Sequence, residues 1–275
     1  MIKPVKVLCI GGSDSSGGAG IQADLKAVHA CGCYGLSVIT ALTAQNSFGV
    51  DKVFAVNAGF VASQMDAVLS DMGADAIKTG MLLKKGIIGV IADKIKDYKI
   101  KKVVVDPVML AKGGYELLED SAKKTLIKNL LPLALVVTPN IPEAQYLAKM
   151  SIKSVTDMKK AAQNILSLGA KNVLIKGGHL PAKEKKISID IFFDGKSFHE
   201  FSANWLNIRN THGTGCTFAS ALAAFIAQGL SVSDAAKRAK MMVTKAIKYS
   251  VKPGSGIGSV NVFGSGEISF LRRNK

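Results

Sequence analysis

Aromatic residues are scarce in this chain of 275 residues, of which they make up 6%. Basic residues outnumber acidic ones by 36 to 20, and the resulting net charge of +16 would favour a polyanion as partner. The lysines are spread along the chain, however, and form no single stripe. Nucleic-acid-binding proteins usually combine a clustered basic face with stacking aromatic side chains. The sequence therefore predicts a solvated basic surface and no nucleic-acid partner.

Long apolar runs and paired cysteines are also missing. The longest apolar run, near residues 218–227, is too short to cross a bilayer, which requires about 20 residues. The four cysteines, at 9, 31, 33 and 216, lack the spacing of a disulfide framework or a zinc finger. Residues 1–6 lead directly into a predicted strand and do not resemble a secretory signal. We therefore expect a cytoplasmic protein with no membrane partner.

Two common nucleotide-binding motifs are absent as well. The chain contains no Gly-x-x-x-x-Gly-Lys-Ser/Thr sequence, and its glycine-rich run at residues 11–20 does not fit Gly-x-Gly-x-x-Gly. A phosphoryl-transfer enzyme with this sequence is thus neither a P-loop protein nor a Rossmann dehydrogenase.

Short apolar strands alternate with amphipathic helices along the chain. Because helices separate the strands, the strands should be parallel, and their continuous hydrophobicity indicates that helices cover both faces of the sheet. An antiparallel hairpin is expected at 187–193 and 198–201. No linker divides the chain, so we predict a single α/β domain over residues 1–275. The predicted strands are 5–10, 36–41, 76–79, 102–105, 135–137 and 173–175, and the predicted helices are 21–31, 60–72, 86–98, 121–130 and 158–168.

Residues 211–216 (Thr-His-Gly-Thr-Gly-Cys) form the most informative segment. They precede an apolar stretch and predict a glycine-rich turn that opens a helix. Gly213 and Gly215 allow the backbone to approach an anion, which the helix N-terminus attracts. A thiol at that position has a lowered pKa, so Cys216 is a candidate base or nucleophile. Its alternative role is that of a small apolar residue in the core.

The polar ends of the predicted strands should gather at one edge of the sheet, where ligands bind in such folds. The segments at these strand ends, together with residues 211–216, resemble the hydroxymethylpyrimidine/phosphomethylpyrimidine kinases of thiamine biosynthesis, in the ribokinase-like superfamily. The resemblance implies a three-layer α/β/α fold, two ATP-dependent phosphorylations, Mg²⁺ and a homodimer. It is carried by residues 11–24, 43–46, 106–114, 138–143, 176–179 and 211–216.

The resemblance also assigns the groups that act on the phosphates. Cys216 would be the base that takes the proton of the substrate hydroxyl, where many ribokinase-like enzymes carry Asp. Lys176 would be a phosphate-facing cation, or else a surface lysine that ends its strand. Asn140 and Glu143 are also spaced like a helix cap and its partner. The implied anion hole is Gly213, Thr214 and Gly215, and the implied network for Mg²⁺ and phosphate is Asp106, Asn140 and Glu143.

On the pyrimidine side, Gln45 can present both a donor and an acceptor to an aminopyrimidine edge. The resemblance places Gly12 and Asp24 nearby. Met81 and Val108 would supply apolar walls, although such residues are more often ordinary core. The glycine-containing segment after Asp106 is a candidate lid or an ordinary loop, and it consists of Ala111, Lys112, Gly113 and Gly114.

Two alternatives remain open at this stage. Some members of the same branch are pyridoxal kinases whose lid carries a second cysteine. Here the corresponding lid has Ala111 and Lys112, which favours a pyrimidine substrate. The other alternative is a non-catalytic protein that binds anions or nucleic acid. Because the chain stops soon after Phe263, no fused thiamine-phosphate synthase domain is expected.

Overall fold

The computed structural model describes residues 3–109, 118–178, 180 and 187–264. The strands are β1 (Lys6–Asp14), β2 (Tyr34–Gln45), β3 (Val50–Ala55), β4 (Ala76–Thr79), β5 (Val103–Val105), β6 (Val136–Val137), β7 (Val173–Ile175), β8 (Ile187–Phe193) and β9 (Phe198–Asn204). Within the described residues they form one sheet in the order β3-β2-β1-β4-β5-β6-β7-β8-β9. Neighbours from β2 to β7 in this order pair in parallel, whereas the pairs β3–β2, β7–β8 and β8–β9 are antiparallel.

Helices cover both faces of this sheet and form two separate cores. In β5, Val103 and Val105 pack into one core and Val104 into the other, because side chains alternate along a strand. The first core lies under α2 to α6, and the second lies under α1, α7 and α8. The helices are α1 (Gly20–Ala30), α2 (Ala58–Asp71), α3 (Lys85–Asp97), α4 (Asp120–Thr125), α5 (Ile141–Ala148), α6 (Val155–Leu166), α7 (Thr214–Ala227) and α8 (Val232–Lys248).

The predicted three-layer α/β/α architecture is confirmed. Strand β1 continues past its predicted end to Asp14, with a register shift between Gly11 and Gly12. The helix predicted at 121–130 is α4 followed by one π-helical turn, Leu126–Leu130. Three elements, β3, α5 and α8, lie outside the predicted helices and strands, although the spacing of Asn140 and Glu143 indicated the start of α5. All four cysteines are free of disulfides, and no helix in the described ranges is both long and apolar enough for a bilayer.

The polar end of β7 approaches β8 closely at Gly177. Its N–H donates to Asp190 Oδ1 at 2.9 Å, and a methyl group at Gly177 would lie 1.7 Å from the carbonyl oxygen of Ile189. Any side chain at position 177 must therefore push the adjacent backbone away. Gly177 thus follows Lys176 in the chain and bonds to Asp190, and both of these residues line a large pocket.

We expect Gly177→Ala to lower the free energy of unfolding by about 1–3 kcal/mol, the usual effect of overpacking. The matched control is Gly89→Ala in the interior of α3, where nothing lies within 4 Å of the added methyl group. That change should raise the free energy of unfolding by roughly 0.5–1 kcal/mol through helix propensity. Urea denaturation measures both, and equal effects from the two substitutions would contradict the close approach at Gly177.

Candidate active site

A large pocket of about 940 Å³ lies at the carboxyl ends of the parallel strands, as expected for this kind of sheet. It extends from Gln45 at the end of β2 to Trp205 and Leu206, which follow β9. The N-terminus of α7 forms part of its wall, through Gly213, Thr214, Gly215 and Cys216. The segments predicted to gather at one edge of the sheet therefore do so.

The turn before α7 depends on glycine. Gly213 has a φ angle of +79°, and a methyl group there would lie 1.9 Å from the carbonyl oxygen of Gly18. A methyl group at Gly215 would lie 3.5 Å from Lys176 Nζ and 3.7 Å from Asp106 Oδ2. The Thr214 hydroxyl donates to the carbonyl of Thr211 at 2.7 Å and so helps to form the turn. The first residues of α7 thus lie directly beside a lysine and a carboxylate.

That lysine and carboxylate form an ion pair. Lys176 Nζ lies 2.7 Å from Asp106 Oδ1, which also accepts a hydrogen bond from Thr138 Oγ1 at 3.2 Å. Burial alone would lower the pKa of Lys176, but the carboxylates of Asp106 and Glu143 raise it. The lysine is therefore a cation in the pocket wall, not a solvated residue that merely ends β7.

Cys216 differs from the expectation for a thiol at a helix N-terminus. Burial raises its pKa to about 11, and the carboxylates of Asp24 and Asp106 add to this effect while Lys78 opposes it. The prediction of a lowered pKa is therefore wrong, because desolvation outweighs the attraction of the helix terminus. In the free protein the Cys216 side chain is a thiol at neutral pH.

A fully buried ion pair lies in the same region of the pocket. Lys78 Nζ contacts both carboxylate oxygens of Asp24, at 2.7 and 2.8 Å, and Ser220 Oγ donates to Asp24 Oδ1 at 2.8 Å. Burial opposes the charge on Lys78, but Asp24 raises its pKa above the ordinary value. Asp24, predicted on the pyrimidine side, does line the pocket, with both oxygens already bonded within the protein.

Asn140 and Glu143 form the capping box at the start of α5, as their spacing indicated. Asn140 Oδ1 accepts the N–H of Glu143 at 3.0 Å, and Glu143 Oε2 accepts the N–H of Asn140 at 2.8 Å. Burial raises the pKa of Glu143 to about 7, with Asp106 adding to the shift and Lys176 opposing it. One carboxylate oxygen of Glu143 remains outside the capping box.

Mg²⁺ commonly binds to one or two carboxylates, keeps several waters and takes further oxygens from substrate phosphates. In the part of the chain that the structure describes, no cluster of three His, Cys, Asp or Glu side chains forms a closed metal cage. Asp106 and Glu143 nevertheless supply carboxylate oxygens in one pocket, beside the charge of Lys176. This donor set suits a partly hydrated Mg²⁺ that is shared with a nucleotide.

The residues predicted to bind the pyrimidine come together in the same pocket. Gly12, Gln45, Met81 and Val108 all line it. A methyl group at Gly12 would lie 2.9 Å from the Cε atom of Met81, so this glycine makes room for the methionine. Met81 and Val108 are only half-buried, which fits a pocket wall better than core. Residues 111–114, the predicted lid, lie outside the described residues.

The structure adds one contact that the motifs did not predict. His212 Nε2 lies 3.0 Å from Asp14 Oδ2 and 3.2 Å from the carboxamide of Gln45. Burial would raise the pKa of Asp14, but hydrogen bonds from His212, Ser16 and Ala19 lower it to about 2. Both Asp14 and His212 stand in segments noted in the sequence, but no sequence pattern indicates that they pair.

Comparison with known proteins shows which family the chain matches. The family profile described as phosphomethylpyrimidine kinase matches residues 14–261. The bifunctional thiamine biosynthesis protein ThiED of Geobacter sulfurreducens is 52% identical over 93% of this chain, which spans 51% of that protein. A hydroxymethylpyrimidine/phosphomethylpyrimidine kinase of Bacillus subtilis is 46% identical, over 94% of each chain. This chain thus spans about half the length of its bifunctional relatives.

Solved structures agree on the fold. An ADP complex of a Bacillus subtilis pyridoxal kinase superposes with a TM-score of 0.88 at 39% identity and covers 95% of this chain and 98% of its own. A phosphomethylpyrimidine kinase of Clostridium difficile 630 superposes with a TM-score of 0.78 at 44% identity and covers 88% of this chain and 99% of its own. The chain therefore belongs to the phosphomethylpyrimidine kinase family and is a kinase with the ribokinase-like fold.

Proposed function

We propose that this kinase phosphorylates 4-amino-5-hydroxymethyl-2-methylpyrimidine and then its monophosphate, with ATP as the phosphoryl donor. The observation that carries the proposal is the convergence of two groups of residues in one pocket. The first residues of α7 lie beside Lys176 and Asp106, while Gln45 and Met81 line the pyrimidine side. Relatives that match nearly the whole chain carry the name of this activity. The homodimer and the cytoplasmic location expected from the sequence stay predictions.

Phosphoryl transfer requires an oriented hydroxyl group and neutralised phosphate charge. The substrate oxygen attacks the γ-phosphorus, the bond to the ADP oxygen breaks, and the hydroxyl proton passes to Cys216 in the small fraction of the enzyme whose thiol is ionised. Gly213, Thr214 and Gly215 offer backbone N–H groups to the transferring phosphoryl group. Lys176 adds a positive charge. Asp106 and Glu143 would hold Mg²⁺, which neutralises phosphate charge when bound, while Asn140 fixes Glu143 through the capping box.

The substrate side requires shape and hydrogen bonds more than charge. Met81 and Val108 would enclose the ring, and Gly12 leaves space beside Met81. Gln45 would bond to the polar edge of the heterocycle. Asp24 would act mainly through Lys78, whose charge it balances next to Cys216. The predicted lid, residues 111–114, would exclude water over the phosphates.

Pyridoxal is the second candidate substrate, because pyridoxal kinases superpose on this chain with a TM-score of 0.88. The cysteines of this chain stand at 9, 31, 33 and 216, so none falls in residues 111–114. Turnover of ATP to ADP by purified protein with Mg²⁺ should be compared for the pyrimidine alcohol, its monophosphate and pyridoxal. Conversion of both pyrimidines supports the proposal, whereas activity confined to pyridoxal would refute it.

Cys216→Ala and Cys216→Ser should each lower kcat by about 10²–10⁴-fold, the usual contribution of a general base, without weakening ATP binding. Because burial raises the pKa of Cys216 to about 11, the thiolate fraction of the wild type grows with pH, and kcat should rise up to at least pH 9. Both variants should lose this rise, and Cys216→Asp should restore part of the activity at neutral pH. Near-normal turnover by Cys216→Ala would exclude the role.

Gln45→Ala should raise the KM for the pyrimidine by about tenfold, the effect of losing one to two hydrogen bonds, and leave the KM for ATP nearly unchanged. Steady-state kinetics with each substrate varied in turn measures this split. A fall in ATP affinity alone would mean that the heterocycle does not bind next to Gln45.

Glu143→Gln should stabilise the protein without Mg²⁺ at pH 8 and at the same time reduce turnover. The pKa of about 7 exceeds the ordinary value of 4.5, so the folded protein binds more protons than the unfolded chain between these values. Stability therefore falls as pH rises through that window, and the neutral amide avoids this loss. Urea denaturation at pH 5 and pH 8 tests it, with the exposed Glu119→Gln as control. If the difference in the free energy of unfolding between Glu143→Gln and the wild type does not increase from pH 5 to pH 8, the buried charge on Glu143 is contradicted.

A further inference from the structure

The imidazole of His212 is fixed between two segments of the chain. The N–H of His212 donates to the carbonyl of Gly258 at 3.1 Å, and its own carbonyl accepts the N–H of Val260 at 3.1 Å. On the other side, a methyl group at Gly18 would lie 2.5 Å from the Cδ2 atom of His212, so the ring packs directly on that glycine. The ring therefore presents Nε2 to Asp14 and Gln45 in a set direction.

The carboxylate of Asp14 decides which hydrogen this nitrogen carries. Asp14 Oδ1 accepts from both the N–H and the hydroxyl of Ser16, at 2.8 and 2.7 Å, and Oδ2 accepts the N–H of Ala19 at 2.8 Å. These donors keep the side chain ionised, with a pKa near 2 despite its burial. An ionised carboxylate only accepts hydrogen bonds. His212 Nε2, 3.0 Å away, must therefore carry a hydrogen and act as a donor.

The orientation of the Gln45 carboxamide follows from that hydrogen. The carboxamide nitrogen Nε2 is placed 3.2 Å from His212 Nε2. Because two donors cannot face each other and the two ends of an amide are assigned from their hydrogen bonds, we assign the reverse orientation, in which the oxygen faces His212 and shares its hydrogen with Asp14. The carboxamide oxygen Oε1, placed on the opposite side, lies 3.2 Å from Thr43 Oγ1, whose single hydrogen goes instead to the nearer carbonyl of Ser13 at 3.0 Å. Thr43 Oγ1 can then accept a hydrogen from the Gln45 nitrogen. The contacts at both ends of the carboxamide therefore require the same orientation, with the oxygen toward His212 and the nitrogen toward Thr43.

We propose that Asp14 and His212 are positioning residues that hold the Gln45 carboxamide in this one orientation and so set which heterocycle edge the pocket binds. The second N–H of Gln45 then bonds to an unprotonated ring nitrogen, and the remaining lone pair of its oxygen accepts from an exocyclic amine beside that nitrogen. This is the edge of a 4-aminopyrimidine. The inference rests on the proposed function, because it concerns how the same pocket selects its acceptor substrate.

The test combines one substitution with one change in the substrate. Kinetics should be measured with 4-amino-5-hydroxymethyl-2-methylpyrimidine and with 5-hydroxymethyl-2-methylpyrimidine, which lacks the amine, for the wild type and for His212→Leu. In the wild type, loss of the amine should raise KM by at least about tenfold, the effect of one hydrogen bond to a fixed partner. In His212→Leu, the ratio of the KM without the amine to the KM with it should fall to within about threefold of unity, because the carboxamide can then rotate.

Two further variants separate positioning from a structural role. His212→Gln places an amide N–H near the former Nε2–H and should keep most of the wild-type ratio. His199→Leu, the same change at an exposed position outside the pocket, should leave the ratio intact. If His212→Leu fails to fold, Thr43→Val, which releases the nitrogen end of the carboxamide, should lower the ratio by about threefold.

The outcomes distinguish this inference from the proposed function. If His212→Leu or its substitute Thr43→Val raises both KM values equally and keeps the wild-type ratio, the residue is only structural and the inference is wrong. A ratio near unity in the wild type would also refute the inference while pyrimidine turnover upholds the proposed function. If the wild type phosphorylates neither pyrimidine, the proposed function is refuted, and the inference with it.

Discussion

The contact between the turn before α1 and the turn before α7 is the constraint on which the site depends. The backbone carbonyl of Gly18 occupies the space where any side chain at position 213 would begin, 1.9 Å from a methyl group there. This approach brings the first residues of α7, the thiol of Cys216 and the ring of His212 to the carboxyl end of β1. A larger residue at Gly18 or Gly213 would separate the two turns, and the first residues of α7 would move away from the carboxyl end of β1.

Charge within the pocket is balanced in pairs, in contrast to the excess of positive charge on the whole chain. Lys78 pairs with Asp24, Lys176 with Asp106, and Lys240 with Asp190 at 2.9 Å. Removal of one member would leave an uncompensated buried charge, which is far more costly than the loss of a surface ion pair. The net charge of +16 therefore belongs mainly to the surface.

Local sequence rules predicted what depends on local structure. Continuous apolar runs located the buried strands, such as β4 and β7, at their observed bounds. Strand β3 was missed because none of its residues is fully buried, and its half-buried and exposed positions do not alternate cleanly around Asp51 and Lys52. Helix α8 was also missed, although the sequence indicates it: Ser231 caps its start, and its buried positions are mostly alanines at helical spacing. The predicted pKa of Cys216 was wrong because the burial of this residue depends on residues distant in sequence. The pairing of Asp14 with His212 was not predicted because it spans 198 positions.

Backbone similarity does not distinguish the two candidate substrates. Pyridoxal kinases superpose on this chain at least as well as a phosphomethylpyrimidine kinase does, with TM-scores of 0.88 and 0.78. Fold therefore fixes where ATP and an alcohol meet, and a few side chains must select the heterocycle. A glutamine whose carboxamide could rotate would bind either order of donor and acceptor on a heterocycle edge, so it would select neither substrate. Gln45 can discriminate only if its carboxamide is held, and the ionised Asp14 holds it through a single imidazole hydrogen. Selectivity in this pocket thus depends on a carboxylate that need not touch the substrate.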